Sequence, residues 1–207
     1  MRILAFSDLH RDLEQAGRLT EMSVDADVVI GAGDFASIHE GLGETIDALS
    51  GITTPTILVP GNNERLDDLR EAAATWDAAT ILHGDSAEID GQTFFGLGAG
   101  IPTTPWSWSY DMDEGEAAEA LSGLGANDFL VLHSPPKNHC DEAGDLHLGS
   151  PAIAAAIERV QPKMAVCGHI HESWQQRSRI GETEVINLGP SGTWLELQAL
   201  NGDSSPE

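Results

Sequence analysis

The chain of 207 residues is long enough to bury one substantial hydrophobic core, so we expect a single domain. Its 34 Asp and Glu residues against 10 Lys and Arg give a formal net charge of −24 at pH 7, spread along the whole sequence. Such a surface repels nucleic-acid backbones and anionic membranes, because non-specific affinity for DNA comes from Lys and Arg that displace counterions, so neither is an expected partner.

The first half of the chain alternates short apolar runs with amphipathic segments, which predicts a βαβαβα opening. The expected strands lie at 2–7, 27–30 and 56–60, the expected helices lie at 12–22 and 66–76, and residues 45–49 are expected to lie within a further helix. Strands separated by helices need crossover connections, so these strands should form a parallel or mixed sheet. Ligands of such sheets collect beyond the carboxyl ends of the strands, which here carry Asp8, Asp34 and Asn62.

The second half begins with a predicted hairpin, in which Asp90 and Gly91 form the turn between two alternating segments. Further helices are expected at 113–121 and 151–160, and further strands at 128–132, 163–167, 184–188 and 193–197. The segment 101–110, IPTTPWSWSY, is rich in Pro and Trp and has no period, so it is either a packed Ω-type loop or a wall that faces a substrate. We expect 1–200 to form the domain and 201–207 to be disordered.

The acidic surplus resembles that of halophilic proteins, in which high cytoplasmic salt screens the repulsion between like charges; an ordinary acidic protein is the alternative. The first apolar run, at 3–6, is too short for a signal-peptide core, and no stretch of 18 apolar residues follows it. We therefore expect a cytoplasmic protein. Cys140 and Cys167 fit neither a disulfide framework nor a zinc ribbon, so we expect two free thiols.

Candidate metal ligands occur in five separate fragments that follow predicted strands. The fragments are Asp8-Leu9-His10, Gly33-Asp34, Gly61-Asn62, His133 and Gly168-His169-Ile170-His171. Any one fragment alone is better explained as a helix cap, a turn or a hydrogen-bonded histidine. Together they place a donor atom at the end of each predicted crossover strand, which favours one shared site. The Asp-x-His and His-x-His spacings should direct both side chains of a pair to the same side of an extended backbone.

This ordered series resembles the signature of the calcineurin-like metallophosphoesterase superfamily, Asp-x-His, Gly-Asp, Gly-Asn-His-Asp/Glu, His and Gly-His-x-His. The resemblance runs from Asp8 to His171. It implies a four-layer α/β/β/α sandwich of two mixed sheets flanked by helices. The segments 133–137 and 147–150 are similar to a small bacterial and archaeal branch of that superfamily.

The same resemblance implies two metal sites that share the carboxylate of Asp34. One site would consist of Asp8, His10, Asp34 and His171, and the other of Asp34, Asn62, His133 and His169. A bridging carboxylate can hold two divalent ions about 3.5 to 4 Å apart, where a bridging hydroxide forms near neutral pH and attacks phosphorus in line. Mixed imidazole, carboxylate and amide donors favour Mn, with Fe, Ni, Co and Zn as alternatives, over a magnesium-only site.

We therefore expect a metal-dependent phosphodiesterase or phosphatase that acts on a small phosphate ester. The expected catalytic residues are Asp34, Asn63 and His133. The two metal ions, together with the bridging hydroxide and two carboxylates, would form a positive site in a negative protein, which suits a small anion better than a polyanion. No organic cofactor is expected, because the segment 96–101 lacks the last glycine of a dinucleotide fingerprint.

One position departs from the family pattern, since Asn63 stands where the signature has histidine. In many members that histidine is thought to protonate the leaving oxygen, and an amide cannot transfer a proton at a useful pKa. We expect Asn63 to orient a phosphoryl oxygen and the enzyme to prefer esters with good leaving groups. The alternative proton sources are His39, His139 and a metal-bound water. His83 should be a turn or surface residue, and the loop 138–149, which carries His139 and His147, is positioned such that it could fold over the pocket.

Two other functions stay open for a chain with this signature. The superfamily includes a binding scaffold that keeps the fold without competent metal binding, and nucleases that carry additional capping segments. A protein phosphatase is less well supported, because Gly33-Asp34-Phe35 lacks the arginine that such enzymes carry beside the bridging aspartate.

Overall fold

Two β-sheets stacked face to face form the centre of the protein, and helices cover the outer face of each sheet. The structure is a computed structural model, and it describes residues 1–197. The segment 201–207, which we expected to be disordered, lies outside the described residues. The four layers confirm the sandwich implied by the sequence resemblance.

The elements follow one another in the order that the hydrophobic pattern predicts for most of the chain. The strands are β1 (Arg2–Phe6), β2 (Val28–Gly31), β3 (Thr56–Leu58), β4 (Ala79–Ile81), β5 (Asp85–Ile89), β6 (Gln92–Leu97), β7 (Phe129–Leu132), β8 (Glu142–Ala143), β9 (Leu146–His147), β10 (Met164–Cys167), β11 (Arg177–Ile180), β12 (Thr183–Asn187) and β13 (Thr193–Glu196). The α-helices are α1 (Leu13–Met22), α2 (Leu42–Leu49), α3 (Leu66–Ala72), α4 (Glu114–Ala120) and α5 (Pro151–Val160).

Both large sheets are mixed, with parallel strands at their centres. The first has the order β13-β1-β2-β3-β4, in which only the pairing of β13 with β1 is antiparallel. The second has the order β11-β12-β10-β7-β6-β5, with β12, β10, β7 and β6 mutually parallel and an antiparallel strand at each edge. The parallel strands of each sheet end at one edge of the sandwich.

Alternation along the strands distributes apolar side chains between separate cores. In β1, Ile3 and Ala5 face the core between the sheets, whereas Leu4 and Phe6 face the core beneath helices α1 to α3. A third core joins the second sheet to α4 and α5. Because strands buried on both faces are apolar throughout, they were the easiest elements to predict.

Local sequence signals define several element ends. The side chain of Asp12 accepts a hydrogen bond from the backbone of Gln15 and caps α1, while Ser150 caps α5 ahead of Pro151. Asp90 and Gly91 both have positive φ, 49° and 78°, as a type I′ turn requires. No helix within residues 1–197 is long and apolar enough to cross a membrane.

The strands that sequence reasoning missed are short or polar. Strand β4 has three residues, β8 and β9 have two each, and β11 reads Arg-Ser-Arg-Ile at the edge of the second sheet. An edge strand buries little, so its hydrophobic alternation is weak. Helix α2 (Leu42–Leu49) contains the predicted helical residues 45–49.

Candidate metal centre

All the predicted ligands lie at one edge of the sandwich, in loops that follow parallel strands of both sheets. They come from the loops after β1 (Asp8, His10), β2 (Asp34), β3 (Asn62), β7 (His133) and β10 (His169, His171). The first three loops belong to one sheet and the last two to the other. The site is therefore assembled across the interface between the sheets.

One group of donor atoms is formed by Asp8, His10 and His171, whose atoms lie within 4.8 Å of one another. The Nε2 atoms of His10 and His171 are 3.2 Å apart, and Nε2 of His171 is 3.6 Å from Oδ1 of Asp8. Two nitrogens that bind one ion at about 2.0 to 2.1 Å in a tetrahedral arrangement lie about 3.3 to 3.4 Å apart. The spacing of these two imidazoles fits a single metal ion.

A second group is formed by Asp34, His133 and His169, again within 4.8 Å. Nε2 of His133 lies 3.4 Å from Oδ1 of Asp34 and 3.3 Å from Oδ1 of Asn62. The other carboxylate oxygen of Asp34, Oδ2, lies 3.5 Å from Nε2 of His10. Asp34 thus presents one oxygen to each group of donors.

Backbone carbonyls fix the orientation of two of these histidines. Nδ1 of His10 is 3.1 Å from the carbonyl oxygen of Ala36, and Nδ1 of His133 is 2.8 Å from that of Ala32. A neutral imidazole that donates from Nδ1 leaves Nε2 as a free acceptor. In both residues the atom directed into the site is therefore Nε2, which binds a metal once the ring carries no proton there.

The backbone at these residues is left-handed rather than extended. Asp8, His10, Asp34 and His169 have φ values of 56°, 44°, 59° and 67°. The expectation of side chains projecting from extended strands was wrong, because the chain turns sharply at the end of each strand. Asp8 and His10 still join the same group, whereas His169 and His171 are divided between the two groups. Left-handed backbone outside glycine is costly and clusters at functional sites.

Two glycines allow these loops to approach one another. Gly33 has φ of 86°, and a Cβ there would lie 2.6 Å from Nδ1 of His133. A Cβ on Gly61 would overlap the carboxylate and backbone nitrogen of Asp34. The glycines that precede Asp34 and Asn62 in the signature are therefore required for close packing, and Gly33 is required for its backbone angle as well.

Glu64 holds together the loops that carry Asp34 and Asn62, a role that the sequence did not reveal. Its buried carboxylate accepts hydrogen bonds from the backbone nitrogens of Asp34 at 2.8 Å, Ala36 at 3.0 Å and Gly61 at 2.6 Å. Burial, together with the negative charge of Asp34, raises the pKa of Glu64 to about 7. The acidic residue that ends the Gly-Asn-His-Asp/Glu fragment was the available signal.

Burial and close charges shift the pKa values of several residues in the site. Burial by itself would raise the pKa of Asp34, but the charge of His133 and its hydrogen bond hold that pKa well below the usual value. Burial by itself would lower the pKa of His133, yet Asp34 raises it to about 9, so a metal ion would have to displace a proton from this imidazole. Burial and the neighbouring charge of His133 lower the pKa of His169 to about 4, so His169 is neutral at pH 7. The carboxylate is thus ionised and ready to act as a ligand.

The side chains of Asn62 and Asn63 are both held by hydrogen bonds. Nδ2 of Asn62 donates to Oγ of Ser109 at 2.9 Å, and Oγ of Ser109 donates to Oδ1 of Asp111 at 2.6 Å. Nδ2 of Asn63 donates to Oδ2 of Asp34 at 2.7 Å, and its Oδ1 accepts from the backbone nitrogen of Ile38 at 2.8 Å. These partners fix which way each amide points.

A cavity of about 600 Å³ opens beside the two groups. Its lining comprises His10, Asp34, Ser37, Ile38, Asn62, Asn63, Pro102, Thr103, Thr104, Pro105, Trp106, Trp108, Leu148, His169, Ile170 and His171. The rings of Trp106 and Trp108 are stacked, with centroids 5.6 Å apart and an interplanar angle of 10°. Of the two interpretations of the segment 101–110, the structure supports the wall, because both tryptophans line the cavity.

The other histidines are not among the residues that line the cavity. Nε2 of His39 lies 2.6 Å from the carbonyl oxygen of Trp108, and Nδ1 of His139 lies 2.6 Å from Oγ of Ser178. Nδ1 of His147 lies 2.6 Å from the buried carboxylate of Asp141. His83 lies in the bend between β4 and β5, as expected, where it is half-buried and Nδ1 accepts from the backbone nitrogen of Gly98 at 3.2 Å. The loop around His147 does reach the cavity, through Leu148.

Residues 1–199 match the family model described as a calcineurin-like phosphoesterase superfamily domain. Among curated proteins, the chain is 27% identical over 220 residues to UPF0046 protein K07C11.7 of Caenorhabditis elegans. The aligned region covers 96% of this chain and 72% of that protein.

Solved structures share the fold at low sequence identity. The structure of TT1561 of Thermus thermophilus superposes with a TM-score of 0.76 at 20% identity, covering 92% of this chain and 90% of that one. A dimetal phosphatase from Danio rerio gives a TM-score of 0.63 at 11% identity, covering 92% and 88%. The family model matches nearly the whole length of the chain, and the four-layer sandwich carries the signature residues. The chain therefore belongs to the calcineurin-like phosphoesterase superfamily.

Proposed function

We propose that this protein hydrolyses small phosphate monoesters or diesters at a dinuclear metal centre. The observation that carries the proposal is the position of Asp34. Its Oδ1 lies 3.4 Å from Nε2 of His133 and its Oδ2 lies 3.5 Å from Nε2 of His10, so one carboxylate faces both donor groups. Because its pKa is held low, the carboxylate stays ionised across the neutral pH range.

The donor chemistry fits two divalent ions. Each group combines a carboxylate with two imidazoles, and Asn62 adds an amide oxygen beside His133. We propose Mn as the preferred metal, with Fe, Ni, Co and Zn as alternatives, because mixed nitrogen and oxygen ligands suit these ions. When bound, two such ions lower the pKa of a water molecule and neutralise charge on the phosphoryl oxygens.

The protein's own residues would hold this arrangement rigid. Asp34 accepts a hydrogen bond from Asn63, and Asn62 donates one to Ser109. Backbone carbonyls orient His10 and His133. Because His169 is neutral at pH 7, it can join the second group as a metal ligand without first releasing a proton. Such preorganisation is the main contribution a protein makes to phosphoryl transfer.

The protonation of the leaving oxygen is where this site differs from the family pattern. Asn63 carries no proton of useful acidity, and neither His39 nor His139 is among the described residues that line the cavity. We therefore propose that the enzyme acts on esters whose leaving groups depart without a protein acid. The substrate is a small ester, since a net charge of −24 repels a nucleic-acid polymer.

Metal analysis combined with a substrate panel tests this function. Purified protein is assayed for metal content and then, with Mn²⁺, against aryl phosphate monoesters and diesters and cyclic nucleotides. We expect two metals per chain and turnover of at least one ester. Stoichiometry well below two with no turnover would favour a binding scaffold, and cleavage of long DNA in place of small esters would favour a nuclease.

A further inference from the structure

The cavity beside the donor groups has an apolar wall that ester hydrolysis by itself does not require. Within residues 1–197, three of the six exposed large apolar side chains lie around this one cavity, namely Ile38 at 53%, Trp106 at 52% and Leu148 at 44% exposure. Trp108, Pro102 and Pro105 extend the same surface. Exposed apolar residues gathered at one concave site indicate a binding surface, whereas scattered ones need no explanation.

The tryptophans give the wall a flat shape. Their rings are nearly parallel, at 10°, with centroids 5.6 Å apart, which is an offset stack. Trp106 remains about half exposed within this pair and so keeps area available for a ligand. A flat ring fits such a surface better than a branched or globular group.

The wall is held in place from two sides. The carbonyl oxygen of Trp108 accepts a hydrogen bond from Nε2 of His39 at 2.6 Å. On the next residue, Oγ of Ser109 accepts from Nδ2 of Asn62 at 2.9 Å and donates to Asp111 at 2.6 Å. The segment that carries the tryptophans is thus tied directly to a residue of the candidate metal centre.

The lining of the cavity, as far as the described residues go, offers no Lys or Arg side chain to a second anionic group. Among the described residues that line it, none is Lys or Arg, and Asp34 is the one carboxylate. A ligand phosphate would be neutralised by the metal ions, but a further phosphate or carboxylate on the ligand would have no counter-charge in a protein of net charge −24.

We propose that this wall binds a flat, uncharged organic group of the phosphate ester and so makes aromatic phosphate esters the preferred substrate class. The inference rests on the proposed function, since it assigns the phosphate to the donor groups and the organic part to the wall. Trp106 and Leu148 become specificity-determining residues for that organic part.

Phosphonates that are not hydrolysed test the wall separately from turnover. Calorimetric titration of the Mn²⁺-loaded protein compares phenylphosphonate, methylphosphonate and 4-carboxyphenylphosphonate. We expect phenylphosphonate to bind about tenfold more tightly than either of the others, a ratio that corresponds to one stacked ring. Equal affinities for the phenyl and methyl compounds, or no binding of the phenyl compound, would overturn the proposal.

Matched variants locate the effect. Trp106→Ala should remove most of the preference for the phenyl group, and Trp106→Phe should keep it because a ring remains. Leu148→Ala should reduce the preference, whereas Leu146→Ala, two residues away, 64% exposed and outside the lining, should not. Unchanged preference in Trp106→Ala and Leu148→Ala would sink the assignment. A phenyl preference in a protein that turns over no ester would instead count against the proposed hydrolysis alone.

Discussion

The side-chain amide of Asn63 donates to Oδ2 of Asp34 at 2.7 Å, which joins the residue that departs from the family pattern to the carboxylate shared by both donor groups. The remaining donor of the amide faces Oδ1 of Asn62 at 3.4 Å, and its oxygen accepts from the backbone nitrogen of Ile38. Both donors are therefore directed at protein groups. We propose that Asn63 positions the Asp34 carboxylate, in addition to any contact with a phosphoryl oxygen.

The first prediction concerns the leaving group. Without an acid at position 63, the rate should fall steeply as the pKa of the leaving alcohol or phenol rises, since general-acid help is worth about 10² to 10⁴ in rate. Asn63→His should flatten this dependence by supplying a proton. The measurement is kcat/KM for a series of substituted aryl and alkyl esters. His139→Ala serves as the control, because His139 contacts Ser178 outside the cavity and should leave the slope unchanged. A shallow slope in the wild type would point to another proton source.

The second prediction concerns the shared carboxylate. Asp34→Asn removes a charged ligand from both donor groups, so turnover should be lost and metal occupancy should fall below two per chain. His83→Ala should keep both near the wild-type values, because His83 contacts Gly98 and Tyr110 away from the donor atoms. Kinetics combined with metal analysis checks both variants. Comparable activity in the two would show that Asp34 is not shared.

The sequence predicted the order of the main elements and which residues form the candidate metal centre. Both predictions depend on local hydrophobic patterns and on the order of the donor-bearing fragments along the chain. Apolar runs identified the buried central strands, and the donor-bearing fragments followed those strands. The left-handed backbone at Asp8 and Asp34 was not foreseen, since hydrophobic periodicity carries no information about how a chain turns after a strand. Contacts such as that of Glu64 with the backbone of Ala36 depend on two loops meeting, which spacing alone does not reveal.

The third prediction concerns Ser109 as a positioning residue. Its hydroxyl accepts from Nδ2 of Asn62, which leaves Oδ1 of Asn62 directed toward Nε2 of His133. Loss of a partner behind a metal ligand typically costs about 10- to 100-fold in metal affinity. Ser109→Ala should therefore weaken Mn²⁺ binding, and Ser109→Thr should restore it.

The matched control for Ser109 is Ser107→Ala, an exposed serine in the same loop. Titration of Mn²⁺ into metal-free protein, followed by calorimetry, gives the affinities. If Ser109→Ala bound Mn²⁺ as tightly as Ser107→Ala, the hydrogen bond to Asn62 would have no positioning role.

The fourth prediction concerns the stability supplied by Glu64. At pH 8, above its pKa of about 7, the buried carboxyl of Glu64 is mostly ionised and accepts three backbone hydrogen bonds, and hydrogen bonds to charged groups contribute about 1.5 to 3 kcal/mol each. Glu64→Gln replaces one acceptor oxygen by a donor that faces backbone N–H groups, so the free energy of unfolding should fall by about 3 kcal/mol. Urea denaturation of this variant beside Glu21→Gln, an exposed helix residue, measures the difference. Equal midpoints would show that the three loops hold together without Glu64.

The last prediction concerns the effect of salt on stability, where two opposing terms can be compared. Salt weakens the ion pairs between arginines and carboxylates, but those in residues 1–197 lie at the surface, and such pairs contribute about 0 to 1 kcal/mol each. Against them stand 34 acidic and only 10 basic residues, so most carboxylates repel one another without a partner. The range of that repulsion falls from about 10 Å at 0.1 M salt to about 3 Å at 1 M. The relief of repulsion should therefore outweigh the loss of the ion pairs, and Tm should rise as KCl is increased to molar concentration.

Sucrose at equal osmolality separates charge screening from general solute exclusion. A Tm that is flat in KCl, or that rises equally in sucrose, would remove the argument for adaptation to high salt.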